Sequence, residues 1–185
     1  MSASRSLLRG SDVYLNAIAE DDLPVIVAWY QDVGFLRLFD ARAAAPRTVT
    51  QIGEEIAQKQ KSPCDFSFAI RRVDTGALIG LVEIDGILWT HRIGGLGVAI
   101  GSAEHRGHGY GTQACRLALD FAFEELNLHR ITATVFSYNT ASRRLCERLG
   151  FQLEGVFREF LERDGQRHDM LLFGLLRHEW IARRP

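Results

Sequence analysis

The sequence is most informative at Glu104-His105-Arg106-Gly107-His108-Gly109-Tyr110-Gly111-Thr112, between a predicted strand and a strongly amphipathic helix. Three glycines at alternate positions let the backbone turn tightly and expose its N–H groups. The start of the following helix adds partial positive charge. Together these features predict a site for an anion such as a pyrophosphate.

The glycine spacing separates this loop from two other phosphate sites. Its order is G-x-G-x-G, whereas dinucleotide-binding folds carry G-x-G-x-x-G and an acid about 20 residues further on. Ile131 stands where that acid would be. A P-loop is excluded because the glycines are not followed by Gly-Lys-Ser/Thr. On glycine spacing alone, a turn that merely joins strand to helix is an equally good interpretation.

Hydrophobic periodicity around the loop predicts a mixed α/β domain. Alternating apolar residues predict strands at 13–18, 66–73, 77–87, 95–100, 131–135, 151–161 and 167–176. Helical spacing and capping residues predict helices at 20–31, 48–61, 111–126 and 139–149. Because a helix lies between strands 95–100 and 131–135, these two strands should be parallel.

The composition is that of one globular domain. The chain has 185 residues, 46% of them hydrophobic, and a formal net charge of −1. The balanced charge argues against nucleic-acid binding, which needs a cationic surface. The sequence has no apolar stretch near the roughly 18 residues of a membrane span, so no membrane partner is predicted. We expect a flexible leader at 1–11, a folded domain at 12–180 and a tail at 181–185.

The cysteines and histidines predict neither a disulfide framework nor a metal site. Cys64, Cys115 and Cys146 are odd in number and far apart in sequence. Such usage is typical of a reducing cytoplasm, where we place the protein. His105 and His108 are two residues apart in the loop, a spacing that does not indicate zinc.

Two motifs carry a resemblance to a known family. Arg106-x-x-Gly109-x-Gly111 resembles the Arg/Gln-x-x-Gly-x-Gly/Ala signature of the GNAT superfamily of acyl-CoA N-acyltransferases. Asn139-x-x-Ser142 resembles the second motif of that family. The helix and strand predicted between the two motifs fit the order that the family requires.

The end of the chain resembles one branch of the family. Leu149-Gly150-Phe151 completes the second motif, and Gly165-x-x-x-Asp169 follows in the last hairpin. This ending is similar to that of ribosomal-protein alanine N-acetyltransferases and spermidine N-acetyltransferase. The resemblance covers about Ser11 to Trp180 and identifies 12–180 as an N-acetyltransferase domain.

The resemblance implies a fold and a reaction. The fold is a bent mixed sheet of about seven strands with about four flanking helices, in which two parallel strands splay apart to admit acetyl-CoA. The reaction moves the acetyl group to a primary amine, on a protein N-terminus or a small molecule, by direct attack in a ternary complex. Polyamine acetylation is the alternative within the class. A non-catalytic acyl-CoA-binding regulatory module is the alternative outside it, and a homodimer is what the family suggests.

The family pattern also implies which residues bind the cofactor. The pyrophosphate would meet backbone amides of the glycine loop, and His108 would line the mouth of that site. The pantetheine would run beside the strand before the loop and reach the second motif. The expected cofactor-binding residues are Val98, Ala99, Ile100, Arg106, Gly107, His108, Gly109, Tyr110, Gly111, Thr112, Asn139 and Ser142.

The general base must come from an unusual place in this chain. The amine must be neutral when it attacks the thioester. Many family members carry an acid on the strand before the loop, but residues 94–100 contain none. Glu83 and Asp85 lie two residues apart on the preceding strand, hence on one face. We favour Glu83; Asp85 and His91 are further candidates, and an exposed strand face is the alternative interpretation.

This chain also differs from the family pattern at the position of the general acid. Many members carry a proton-donating tyrosine four residues after the position of Ser142, where this chain has Cys146. A thiol can supply a proton but is a poor hydrogen-bond donor. A small buried apolar residue is the alternative role of Cys146, and a thiolate nucleophile is a third.

Acceptor specificity is expected from the N-terminal helices and their loop. Aromatic residues with an acid can hold an amine through cation–π and charge contacts. The residues concerned are Trp29, Tyr30, Asp32, Phe35, Leu36, Arg37, Leu38, Phe39 and Asp40. The same residues also suit a core or a lid, and the acids are too few to decide for a polyamine.

Overall fold

Seven strands form one sheet in the computed structural model of the chain, which describes residues 7–183. The strands are Val13–Asn16 (β1), Phe66–Arg72 (β2), Leu78–Leu88 (β3), Ile93–Ile100 (β4), Arg130–Phe136 (β5), Gln152–Arg163 (β6) and Gln166–Leu176 (β7). Their order in the sheet is β1-β2-β3-β4-β5-β7-β6. The predicted mixed α/β class and the number of strands are confirmed.

Helices flank the sheet in larger number than predicted. Over residues 7–183 the α-helices are Leu23–Trp29 (α1), Val33–Phe39 (α2), Val49–Lys61 (α3), Tyr110–Glu124 (α4), Thr140–Leu149 (α5) and Arg177–Ala182 (α6). The two helices beyond the expected four are α2 and α6, which are only two turns long or less and carry little periodicity. Local caps begin both: the Asp32 carboxylate accepts from the Gly34 amide, and that of Glu179 accepts from the Leu176 amide.

The sheet separates two apolar layers. Val82 and Ile84 on β3 belong to the layer formed with α4 and α5. Leu81 on the same strand belongs to the layer formed with α1, α2 and α3. Because side chains alternate along a strand, Glu83 and Asp85 share the face of Leu81 and point toward α1–α3.

The parallel pair β4–β5 is joined at one end only. Its paired positions are Ile93 with Arg130, Gly94 with Ile131, and Gly95 with Thr132. Beyond Gly95 the two strands run without pairing to each other, whereas β4 stays paired with β3 as far as Ile100. The predicted parallel pair and its splay are both confirmed, and the splay leaves one edge of β4 open.

The ends of the chain are described only in part. Residues 1–6 of the expected leader and 184–185 of the expected tail lie outside the described residues. The amide of Gly10 donates to the Val13 carbonyl, and the amide of Leu15 donates to the Leu8 carbonyl, so this part of the leader is bonded to β1. Within 7–183, no helix is long and apolar enough to cross a membrane.

Candidate active site

The glycine loop takes a backbone conformation that favours glycine. Gly107 and Gly109 have φ values of 83° and 86°, in the left-handed region. A Cβ at either position would have no described atom within 4 Å. Conformation rather than crowding therefore requires glycine here, and the space above the loop is open to a ligand.

The first turn of α4 supplies the donors of an anion site. Gly109 is the residue that caps α4, and Tyr110, Gly111 and Thr112 follow it. Amides in the first turn of a helix have no partner within that helix, and they point along the positive end of its dipole. This arrangement suits a pyrophosphate, as the sequence predicts.

Arg106 holds the loop against β4. Its guanidinium donates to the Ile100 carbonyl at 3.1 Å through Nε and to the Gly101 carbonyl at 2.8 Å through Nη2. Its own amide donates to the Ala103 carbonyl. Arg106 therefore supports the shape of the loop through its side chain, while the first-turn amides of α4, which lack a partner within the helix, belong to the residues after it.

A cavity of about 330 Å³ opens beside the loop and brings the expected cofactor-binding residues together. Eleven of the twelve expected residues line it: Val98, Ala99, Ile100, Arg106, Gly107, Gly109, Tyr110, Gly111, Thr112, Asn139 and Ser142. His108 does not line the cavity; its ring stacks on Tyr110 with centroids 5.7 Å apart. Phe35 and Arg148 also line the cavity, and sequence reasoning did not assign them to the cofactor because they lie on other helices.

A second cavity, of about 470 Å³, passes through the splay from one face of the sheet to the other. Glu83 and Asp85 line it on the side of α3, and Cys115 and Cys146 line it on the side of α4 and α5. Val98 is among the residues that line both cavities. The candidate acid and base therefore share one space that adjoins the smaller cavity beside the loop.

Glu83 is held by an ion pair. Lys59 Nζ lies 2.5 Å from Glu83 Oε2, and Ser67 Oγ lies 3.4 Å from the same oxygen. Burial lowers the pKa of Lys59, but the Glu83 carboxylate outweighs it, so the pKa lies above its usual value. The Glu83 carboxylate thus enters the cavity already neutralised by a cation of the chain itself.

Asp85 is the cavity carboxylate without such a partner. Within residues 7–183, no other side chain forms a hydrogen bond or an ion pair with it. Burial raises the pKa of Asp85 above its usual value, the neighbouring Glu83 carboxylate raises it further, and the Lys59 cation offsets part of the rise. A carboxylate in this environment accepts a proton more readily than an exposed one.

The remaining acids of the cavity are paired with arginines. Asp40 Oδ2 lies 2.5 Å from Arg42 Nε, and Glu55 forms an ion pair with Arg47. Burial alone would raise the pKa of Glu55, but the arginine lowers it below its usual value. The sequence shows these charges but not their pairing.

The Cys146 thiol is buried in the wall of the cavity. Burial, with a smaller contribution from Glu147, raises its pKa to about 12. The thiol therefore stays protonated at neutral pH, and the thiolate nucleophile considered from the sequence is disfavoured. Cys115 is fully buried nearby, and burial raises the pKa of its thiol as well.

Only some of the residues expected to bind the acceptor reach the cavity. Tyr30, Leu38, Phe39 and Asp40 line it. Trp29, Phe35 and Leu36 are buried in the layer of α1–α3, and Asp32 caps α2. His91 is exposed in the β3–β4 turn and lines neither cavity.

Comparison with known proteins identifies a family. Residues 12–152 match the acetyltransferase (GNAT) domain. The chain is 36% identical over 105 residues to YdaF of Bacillus subtilis (strain 168), provisionally named a ribosomal N-acetyltransferase, and this alignment covers 57% of each chain. YoaA of the same organism, an uncharacterised N-acetyltransferase, is 26% identical over 92% of this chain and 97% of its own.

A solved structure shares the whole fold. Spermidine N-acetyltransferase from Vibrio cholerae, in complex with CoA and spermine, superposes with a TM-score of 0.84 at 25% identity, over 93% of this chain and 99% of that one. Another structure of the V. cholerae enzyme is a dodecamer.

Proposed function

This chain belongs to the GNAT acetyltransferase family, and we propose that its acceptor is a primary amine with a single positive charge, on a protein N-terminus or a small molecule. It is an acetyl-CoA-dependent N-acetyltransferase. The charges that line the larger cavity are the main evidence for the class of acceptor. The non-catalytic alternative has no support from the relatives, which are N-acetyltransferases by name.

The pairing of the cavity carboxylates carries the proposal. Among residues 7–183, four carboxylates line the larger cavity: Asp40, Glu55, Glu83 and Asp85. The first three are paired with Arg42, Arg47 and Lys59. One carboxylate, Asp85, is left to balance an incoming ammonium group. A second positive charge on the acceptor would be buried without a carboxylate partner, which is costly in free energy.

The cofactor cavity fits acetyl-CoA by its backbone. The α4 amides suit the pyrophosphate, and the open edge of β4 at Val98–Ile100 offers amides and carbonyls to a pantetheine lying alongside, as an added strand would. When bound there, acetyl-CoA would supply the acetyl group as a thioester. Holding amine and thioester together can contribute roughly 7–11 kcal/mol to the rate in favourable cases.

Two carboxylates are positioned to take the proton of the acceptor. We propose that Glu83 and Asp85 act together, Glu83 as the carboxylate fixed by Lys59 and Asp85 as the one free to accept the proton, directly or through water. A general base of this kind contributes typically 10²–10⁴-fold. Both residues lie on β3, so the proposed base belongs to β3 rather than to β4.

Cys146 is the proposed partner of the departing sulfur. Its thiol lines the cavity on the side of α5 and is protonated at neutral pH because of its raised pKa. A thiol of pKa about 12 does not readily give its proton to a thiolate of ordinary pKa near 8.5. We therefore assign Cys146 a weak hydrogen bond to the sulfur, with a small effect on the rate.

Polyamine acetylation is the second candidate. It is favoured by the likeness to the V. cholerae enzyme, whose structure contains spermine. Assembly into an oligomer, which that enzyme shows as a dodecamer, and a cytoplasmic location stay predictions for this chain.

Acceptor profiling tests the proposal. CoA release would be measured with short peptides that begin with Ala, Ser or Met, with amino acids, with aminoglycosides and with spermidine. We expect a singly charged amine to give a kcat/KM at least tenfold above that of spermidine. The Gly109→Glu variant serves as the control for thiol release that does not need a bound cofactor. A preference for spermidine would overturn the proposal in favour of the second candidate.

A further inference from the structure

We propose that Lys59 is a specificity-determining residue, which disfavours polycationic acceptors by occupying the Glu83 carboxylate inside the acceptor cavity. This inference rests on the proposed function, because it explains how the cavity is limited to one acceptor charge.

The position of Lys59 resembles that of a bound ammonium group. Its Nζ lies 2.5 Å from Glu83 Oε2, and both side chains line the larger cavity. The Lys59 side chain is 34% exposed and that of Glu83 is 20% exposed, so the pair lies at the cavity wall with limited access to solvent. An ion pair there is screened less than one at the surface.

The backbone fixes Glu83 in this place. Glu83 pairs with Gly97 across the β3–β4 ladder. A Cβ on Gly97 would lie 3.1 Å from Glu83 Cγ, which shows that the Glu83 side chain lies over the glycine. The carboxylate is therefore directed toward the splay, where the amine and the thioester must meet.

Removal of Lys59 would create a site for two charges. Glu83 and Asp85 are two residues apart on one strand, about 7 Å along its axis. That spacing is comparable to the distance between two nitrogens joined by an extended chain of four methylene groups. With Lys59 in place, Asp85 is the one cavity carboxylate of the described residues 7–183 without an ion pair, and a second ammonium group would meet a cation instead of a carboxylate.

The experiment compares three substitutions on the same helix. Lys59→Met removes the charge and keeps the length of the side chain. Lys59→Arg keeps the charge. Lys61→Met removes a charge from an exposed residue outside both cavities. For each variant, kcat and KM would be measured with spermidine and with the best singly charged amine of the wild-type enzyme.

We expect Lys59→Met to raise the ratio of kcat/KM for spermidine to kcat/KM for the singly charged amine at least tenfold, through a lower KM for spermidine. Lys59→Arg and Lys61→Met should keep the wild-type ratio. A merely structural role of Lys59 would lower activity toward both amines alike and would leave the ratio unchanged. Thermal unfolding and acetyl-CoA affinity would show that each variant is folded.

The outcomes separate this inference from the proposed function. An unchanged ratio in Lys59→Met overturns the specificity role of Lys59 and leaves the proposed function intact. A wild-type enzyme that prefers spermidine overturns both. If Lys59→Met does not fold, Lys59→Gln makes the same test with a polar side chain.

Discussion

The Asp85 carboxylate lies across the α-carbon of Gly95, its partner on β4. A Cβ on residue 95 would be 2.3 Å from Asp85 Oδ1, a distance that no side chain could tolerate. Glycine at this point of β4 therefore makes room for an acidic side chain that belongs to β3. The chain thus brings a carboxylate to the splay although β4 itself carries none.

Gly95→Ala should displace the Asp85 carboxylate and lower turnover. We expect kcat to fall at least tenfold while the Kd for acetyl-CoA stays within about twofold, because the glycine loop is not touched. Steady-state kinetics and calorimetry measure the two quantities. Gly97→Ala is the matched control on the same strand face: its Cβ would lie 3.1 Å from the flexible Glu83 side chain, so the effect should be smaller. Full activity of Gly95→Ala would remove Asp85 from the mechanism.

Asp85→Asn should lower turnover and raise stability at neutral pH. Because the folded-state pKa of Asp85 is raised by burial and by Glu83, the folded protein loses stability as pH rises from about 3.9, the unfolded value, through the folded pKa. The amide removes this penalty, so the variant should be more stable than the wild type at pH 7 and equal to it near pH 3. We expect kcat to fall about 100-fold.

Glu55→Gln should change stability at neutral pH in the opposite direction to Asp85→Asn. The pKa of Glu55 is lowered in the fold: burial would raise it, but Arg47, with a contribution from Arg42, outweighs burial. Its contribution to stability is therefore present above the unfolded pKa of about 4.3 and is lost as pH falls through the folded pKa. Glu55→Gln should be less stable than the wild type at pH 7. Urea unfolding at several pH values measures both variants, and equal pH dependence would contradict the assignment.

Local pattern was enough to predict the sheet and the turn of the glycine loop into α4. Strand periodicity of two, the glycines around Gly109 and the capping box at Thr48 and Gln51 are properties of short stretches, and each is found where it was expected. The splay followed from the family resemblance, since no single strand reports how far its neighbour diverges.

Long-range pairing was beyond the reach of the sequence. Lys59 and Glu83 are 24 residues apart, on a helix and a strand, and neither stretch signals the other. Sequence reasoning therefore favoured Glu83 as a free base, and it could not see that Asp85 is the carboxylate without a partner.

Asp169, part of the terminal motif, accepts a hydrogen bond from the amide of Glu159, a residue with φ of 53° at an irregularity of β6. Its visible role in the fold is thus to support the hairpin.

Gly109→Glu should abolish acetyl-CoA binding. The substitution places bulk and negative charge at the start of α4, where the first-turn amides are the proposed donors to the pyrophosphate. We expect the Kd for acetyl-CoA to rise more than 100-fold. Gly165→Glu is the matched control, because Gly165 also has a left-handed φ, of 73°, and open space around its α-carbon, but lies in the β6–β7 turn. Calorimetry with acetyl-CoA measures both. Equal affinities of the two variants would refute the loop assignment.

Cys146→Ala tests how much the thiol contributes to the departure of CoA. Since burial raises the pKa of Cys146 to about 12, proton transfer from it to an ordinary thiolate is unfavourable, and only a weak hydrogen bond is lost. We expect kcat to fall less than tenfold, with unchanged affinity for acetyl-CoA and a modest loss of stability from the small cavity that alanine leaves. Cys146→Ser, which restores a hydroxyl donor, should recover part of the rate. A loss of kcat above 100-fold in the alanine variant, with acetyl-CoA binding intact, would instead establish the Cys146 thiol as the general acid.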